Sequence, residues 1–257
     1  MKTEGLCGGM VALAMFTVPS HAHAEDWKLT TGADYTNGDY GGTNDISTLY
    51  VPVTGKFRGE RVGLRVTVPY VQVSGPGTIV DTAGQLIPGP DRTDGGLGDV
   101  IVAGTLYDIV ALREQRFYID LTAKAKFGTA DETKGLGTGE NDYSLQGEWY
   151  KDFERVGLFG SVGYKVYGDP PGTDFENAAY ASLGSDFGFT RNVRAGLIFD
   201  YRESAVRGGD ALQELTLFAS ISSSNGMSLQ PYVLGGLSDS SPDLGAGIMV
   251  SWKTNSH

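Results

Sequence analysis

The sequence predicts an all-β chain: a transmembrane, antiparallel, up-and-down β-barrel of about twelve strands behind a cleavable leader. Three observations carry that prediction. Period-2 alternation of apolar and polar residues recurs along the chain, with no sustained helical period. The connections between the alternating runs are short and long in turn, and aromatic residues stand at the ends of the runs on the apolar side. Composition agrees, since 38 of the 257 residues are Gly, without the G-X-Y period of collagen, about twice the average share. Hydrophobic residues make up 40% and charged residues 20%, which is not the balance of a disordered chain. The mean hydropathy of -0.17 is that of a soluble protein, as an average over two opposite strand faces would be.

Residues 1–24 read as a secretory signal peptide: Lys2, an apolar stretch over 6–18, then Ala22-His23-Ala24 as a small-x-small cleavage site. The stretch holds two Gly and is shorter than the roughly 20 apolar residues of a membrane-spanning helix. Cleavage after Ala24 leaves 25–257 as the barrel. It also removes Cys7, the only Cys, together with His21 and His23, so that the terminal His257 is the one remaining imidazole. A hydrolytic triad or a His/Cys zinc site then has no in-chain components. The expectation is a protein that is not an enzyme, with no catalytic residues, metal or cofactor.

Beyond the leader, strands are predicted near 26–36, 45–57, 61–74, 98–108, 116–128, 142–151, 155–167, 177–187, 193–203, 211–222, 227–237 and 243–253. In the fifth, Phe117, Ile119, Leu121, Ala123, Ala125 and Phe127 alternate with Arg116, Tyr118, Asp120, Thr122, Lys124 and Lys126. The third sets Val62, Leu64, Val66, Val68 and Tyr70 against Arg61, Gly63, Arg65 and Thr67. Most runs have the roughly nine to eleven residues that a tilted strand needs to cross a bilayer. Turns after even-numbered strands are short and those after odd-numbered strands mostly longer, as in barrels with tight periplasmic turns and extended extracellular loops. Trp27, Trp149, Trp252, Phe57 and Phe117 fall on the apolar side at the periplasmic ends; Tyr35, Tyr70, Phe127, Tyr143 and Tyr201 do so at the other. A secreted or periplasmic β-sandwich would also alternate, with its apolar face as core. The loop alternation, the aromatic belts and the leader together favour the barrel, and with it the bacterial outer membrane.

Sorting charges by face puts eleven bases and seven acids on the lumen side, a balance of +4, and none at mid-bilayer on the lipid side. Sixteen acids and three bases give the outer loops -13, and periplasmic ends contribute -2, so the processed chain stays at -11. A basic lumen suits anions or polar solutes. The competing reading is that these charges pair between strands and brace the wall, Asp120 with Arg116 or Lys124 for instance. Acidic loops could also hold divalent cations that bridge lipopolysaccharide.

Gly95-Gly96-Leu97-Gly98 and Gly135-Leu136-Gly137-Thr138-Gly139 resemble phosphate loops only superficially, since neither follows a strand and opens a helix. They read as surface loop. Net acidity argues against nucleic acid.

The run from Arg61 to Pro69-Tyr70, followed after a long loop by Gly96-Leu97-Gly98-Asp99, resembles the outer-membrane barrels labelled as transporters of the meta-pathway of phenol degradation. The layout matches over most of the processed chain, while the motif is short. The resemblance implies uptake or export of small, partly aromatic compounds and carries no catalytic residues. One departure is that five residues follow Trp252, where barrels usually finish on an aromatic residue recognised by the barrel assembly machinery.

The functional expectation is a channel or transporter for small solutes, aromatic or anionic compounds among them, through a narrow, net-basic lumen. Arg65, Lys124, Lys126, Lys165 and Arg202 are the candidate solute contacts, with Tyr118, Tyr180 and Tyr232 as aromatic surface. The alternative is a structural or adhesive barrel whose acidic loops bind partners or lipopolysaccharide. Expected partners are outer-membrane lipid and lipopolysaccharide, the small-molecule solute and the assembly machinery.

Overall fold

The computed structural model describes residues 26–42, 44–75, 78–80, 86–88 and 92–255; the expected leader lies outside them. In chain order the strands are β1 (Asp26–Gly38), β2 (Ile46–Arg58), β3 (Val62–Gly75), β4 (Thr78–Val80), β5 (Leu86–Pro88), β6 (Arg92–Leu97), β7 (Val100–Leu112) and β8 (Phe117–Phe127). After a single 3-10 turn (Glu132–Lys134) come β9 (Asp142–Phe153), β10 (Val156–Val166), β11 (Ala178–Gly188), β12 (Val193–Arg202), β13 (Leu212–Ser222), β14 (Met227–Gly236) and β15 (Leu244–Asn255). Twelve of these form one closed antiparallel barrel. Sequential neighbours pair throughout, β7 follows β3, and β15 returns to β1 to remove the last edge. Closure matters because hydrocarbon offers nothing to an unpaired backbone group. No described helix is long and apolar enough to cross a membrane; the strands make the crossing.

Alternation sorts the side chains as the sequence predicts. Leu29, Val53, Leu64, Leu145, Leu183, Leu217 and Val233 stand exposed on the outer face, flanked by exposed Trp27 and Trp252 at one rim and Tyr35, Tyr143 and Tyr70 at the other. Leu217 sits between Leu197 and Val233 in this band. Leu217→Arg is therefore expected to cost about 2–4 kcal/mol of folding stability, read from urea unfolding in lipid vesicles. An unshifted unfolding curve would remove this face from the bilayer.

Tight turns at the short-turn end rest on left-handed residues. Glu154 has φ 68° in the two-residue turn between β9 and β10, the backbone such hairpins favour, and Gly226 has φ 84° at the end of the four-residue turn between β13 and β14. One expectation shifts here. The fourth predicted strand ends at 108, but β7 continues to Leu112 through a bulge between Leu106 and Val110. Asp108 adopts φ 53° and donates its backbone N–H to Asp120 Oδ1 at 2.8 Å, which carries the ladder past the irregularity. The long loop after β3 is also less irregular than expected: it holds the β4–β5 hairpin and β6, which extends the ladder on β3.

The glycine excess has a specific use inside the barrel. A Cβ on Gly247 would lie 2.4 Å from the Tyr232 ring, on Gly163 2.3 Å from Tyr180, on Gly184 2.3 Å from Phe159 and on Gly63 2.4 Å from the Tyr107 hydroxyl. Each ring projects from a neighbouring strand and lies back over the glycine, so it hugs the wall. Neutral polar residues pair across strands in the same interior: Thr30 with Ser251 (2.8 Å), Thr54 with Thr67 (2.9 Å), Thr105 with Thr122 (3.0 Å) and Ser161 with Ser182 (2.8 Å).

Candidate functional site: the lumen wall

Inward-facing positions carry every sequence-predicted site residue. Arg65 stands on β3 opposite Lys56 of β2 and Ala103 of β7. Lys124 of β8 donates from Nζ to Gln146 Oε1 at 2.7 Å and lies 5.9 Å from the Tyr180 ring centre. Tyr180 of β11 donates its hydroxyl to the same oxygen at 3.0 Å, and Gln146 Nε2 donates to Glu148 Oε1 at 2.7 Å. Lys124 and Tyr180 are thus brought together by Gln146, which nothing in the sequence singles out. Tyr232 is buried and donates its hydroxyl to Asp34 Oδ2 at 2.5 Å. Tyr118 stands opposite Tyr150 and Ala111 near the short turns, and Arg202 opposite Tyr180 and Leu212 towards the long loops.

Lys126 and Lys165 meet at the long-loop end. Lys126 Nζ lies 3.1 Å from Asp99 Oδ2 and 3.5 Å from Asp142 Oδ2, and Lys165 Nζ lies 3.0 Å from the same Asp142 oxygen. Asp142 is a buried inward residue at the start of β9. Lys126 also donates to Thr138 Oγ1 at 3.2 Å, and Asp99 Oδ1 accepts from Ala130 N at 2.9 Å, so the cluster holds the loop over 128–141 to the wall. Leu136 of that loop is buried. At its exposed crest, hydrogen bonds from Thr133 hold the Asp131 carboxyl below the usual carboxylate range.

Bracing pairs thus exist, but among the described residues they gather at the rims, with Asp186–Arg194 and Asp26–Lys253 at the short-turn end. Arg116 is in a turn, where it pairs with Asp152 and not with Asp120. Lys28, opposite Lys253 at the short-turn rim, and Lys56, Arg65 and Lys124 beyond it enter no ion pair among the described residues. Arg58, absent from the candidates, lies 4.0 Å over the Tyr107 ring.

The Pro-Tyr and Gly-Leu-Gly-Asp segments prove to be structural partners. Tyr70 pairs with Leu97, and Gly98 donates its N–H to Pro69 O at 2.8 Å. A Cβ on Gly98 would lie 2.8 Å from Val71 Cγ2, so the glycine allows the close approach. There β6 gives way to β7 and Asp99 turns inward to Lys126. Residues 30–254 match the family described as "Putative MetA-pathway of phenol degradation". The chain belongs to that family. Among solved structures, the COG4313 outer membrane channel from Pseudomonas putida F1 superposes with a TM-score of 0.71 at 13% identity, over 93% of this chain and 97% of that one. The KdgM porin, solved with disordered oligogalacturonate, gives 0.53 at 9% identity over 90% and 99%, and the NanC porin 0.52 at 8% over 89% and 100%. Likeness at this identity shows the fold. No curated protein matches the chain. A closed barrel with an apolar outer band and aromatic rims places this member of the phenol-degradation family in the bacterial outer membrane.

Proposed function

We propose that the chain is an outer-membrane channel that passes small solutes, aromatic or anionic compounds among them, through a narrow, net-basic lumen. The observation that carries this reading is the set of inward cations, Lys28, Lys56, Arg65 and Lys124, that enter no ion pair among the described residues. Twelve strands lie between side-chain-filled small barrels and the wide porins, which supports a narrow bore. A channel and two porins share the architecture, which supports passage as the use of the lumen. Rings lying against the wall at Tyr180 and Tyr232 supply aromatic surface without filling the centre.

Purified protein in planar bilayers is expected to conduct with a preference for anions. Lys124→Glu should reduce or reverse that preference, seen as a shift in reversal potential under a salt gradient. Bilayers that stay silent over many insertions would sink the channel reading, and an unmoved reversal potential would take Lys124 out of the path.

A further inference from the structure

The strand register ranks charges of the lumen wall by sign. Lys28 pairs with Lys56, Lys56 with Arg65, Arg65 with Ala103, Ala103 with Lys124, Lys124 with Ser144 and Ser144 with Lys165, an unbroken line of directly opposed residues across seven strands. A second line runs Glu214, Asp200, Ser182, Ser161, Glu148, Asp120 across six. On β8 the two are four residues apart, roughly 13 Å along the strand. Strand tilt makes both lines climb. The cationic line starts two residues from the short-turn end of β2 and finishes beside the long loop after β10; the anionic line starts near the long-loop end of β13 and descends to β8. Where both lines cross β8, β9 and β10 they therefore run side by side, four residues apart along each strand.

Such ranking opposes stability. Lys28 beside Lys56 beside Arg65, and Glu214 beside Asp200, are like charges directly opposite on paired strands, each destabilising, whereas interleaving the signs would stabilise. Elsewhere the same interior does pair its groups, hydroxyl to hydroxyl and, at the rims, acid to base. None of the four acids in the second line enters an ion pair among the described residues.

We infer that the lumen is a bipolar track selecting small zwitterions, solutes that carry an ammonium and a carboxylate together. A mono-ion is drawn by one line and repelled by the other; a zwitterion is drawn by both and turned to follow them. The inference rests on the channel reading and names its solute class.

The test is liposome swelling with 4-aminobutyrate, butyrate and butylammonium, three solutes of similar size, each rate corrected for empty liposomes and divided by the rate of neutral arabinose. The zwitterion is expected to enter at least threefold faster than either mono-ion. Lys56→Gln with Arg65→Gln should erase that lead and speed butylammonium; Asp200→Asn with Glu214→Gln should erase it and speed butyrate. If arabinose enters but 4-aminobutyrate leads neither mono-ion, the bipolar track is wrong while the channel stands. If arabinose itself does not enter, the channel reading fails and takes the track with it.

Discussion

Lys126→Met is expected to lower the stability of the barrel by about 3–5 kcal/mol, the scale for deleting one partner of a buried ion pair and leaving the other charged. Lys126 is almost wholly buried and is the only cation within 4 Å of Asp99 among the described residues, while Asp142 keeps Lys165. The thioether side chain, one atom shorter than the lysine it replaces, fills most of the space but donates nothing to Asp99 or Thr138. The loop over 128–141 loses its anchor at the same time, so protease should cut there in intact proteoliposomes before it cuts elsewhere. Equilibrium urea unfolding in vesicles reads the stability loss. A change below about 1 kcal/mol would mean that the cluster behaves as a solvated surface pair.

Gly247→Val is expected to cut conductance severalfold. Its first side-chain carbon would fall 2.4 Å from the Tyr232 ring, far inside contact distance, so the ring must leave the wall and swing into the bore. Displacement also breaks the hydrogen bond from Tyr232 to Asp34, freeing a carboxylate at the same level. The double variant with Tyr232→Ala removes the obstruction and should restore most of the current. Single-channel recording decides: if Gly247→Val conducts as the parent does, the ring does not bound the path.

Strand number and the assignment of faces were legible in the sequence because each strand meets lipid on one side and a polar lumen on the other, which forces period 2. Trp27, Tyr35, Tyr70 and Trp252 marked the rims for the same reason. The end of β7 was not legible, because its continuation depends on a left-handed Asp108 bonded to Asp120 from the next strand. Gln146 could not be found either: a lone amide on an inward face looks alike whether it bridges Lys124 to Tyr180 or merely faces water. Alternation told that Lys56, Arg65 and Lys124 point inward, but not that they fall into line. Alignment depends on register between strands, and a two-residue slip keeps every face correct while destroying the row. The cluster of Asp99, Lys126, Asp142 and Lys165 was hidden by the same lack, its members coming from four separate strand ends.

The seam between β1 and β15 sets an order of events for the whole molecule. Asp26 pairs with Asn255 and Asn37 with Leu244, so the first and last described strands zip along nearly their full length. Every other junction joins consecutive barrel strands and can form as the chain arrives; this one waits for more than 200 residues. Until then the growing sheet has two raw edges, each a row of backbone donors and acceptors that lipid will not satisfy and that another chain could. Completion is therefore a single late event that converts an adhesive ribbon into a sealed ring. A defect in either seam strand should show as a protein that never finishes, sooner than as a channel that works poorly.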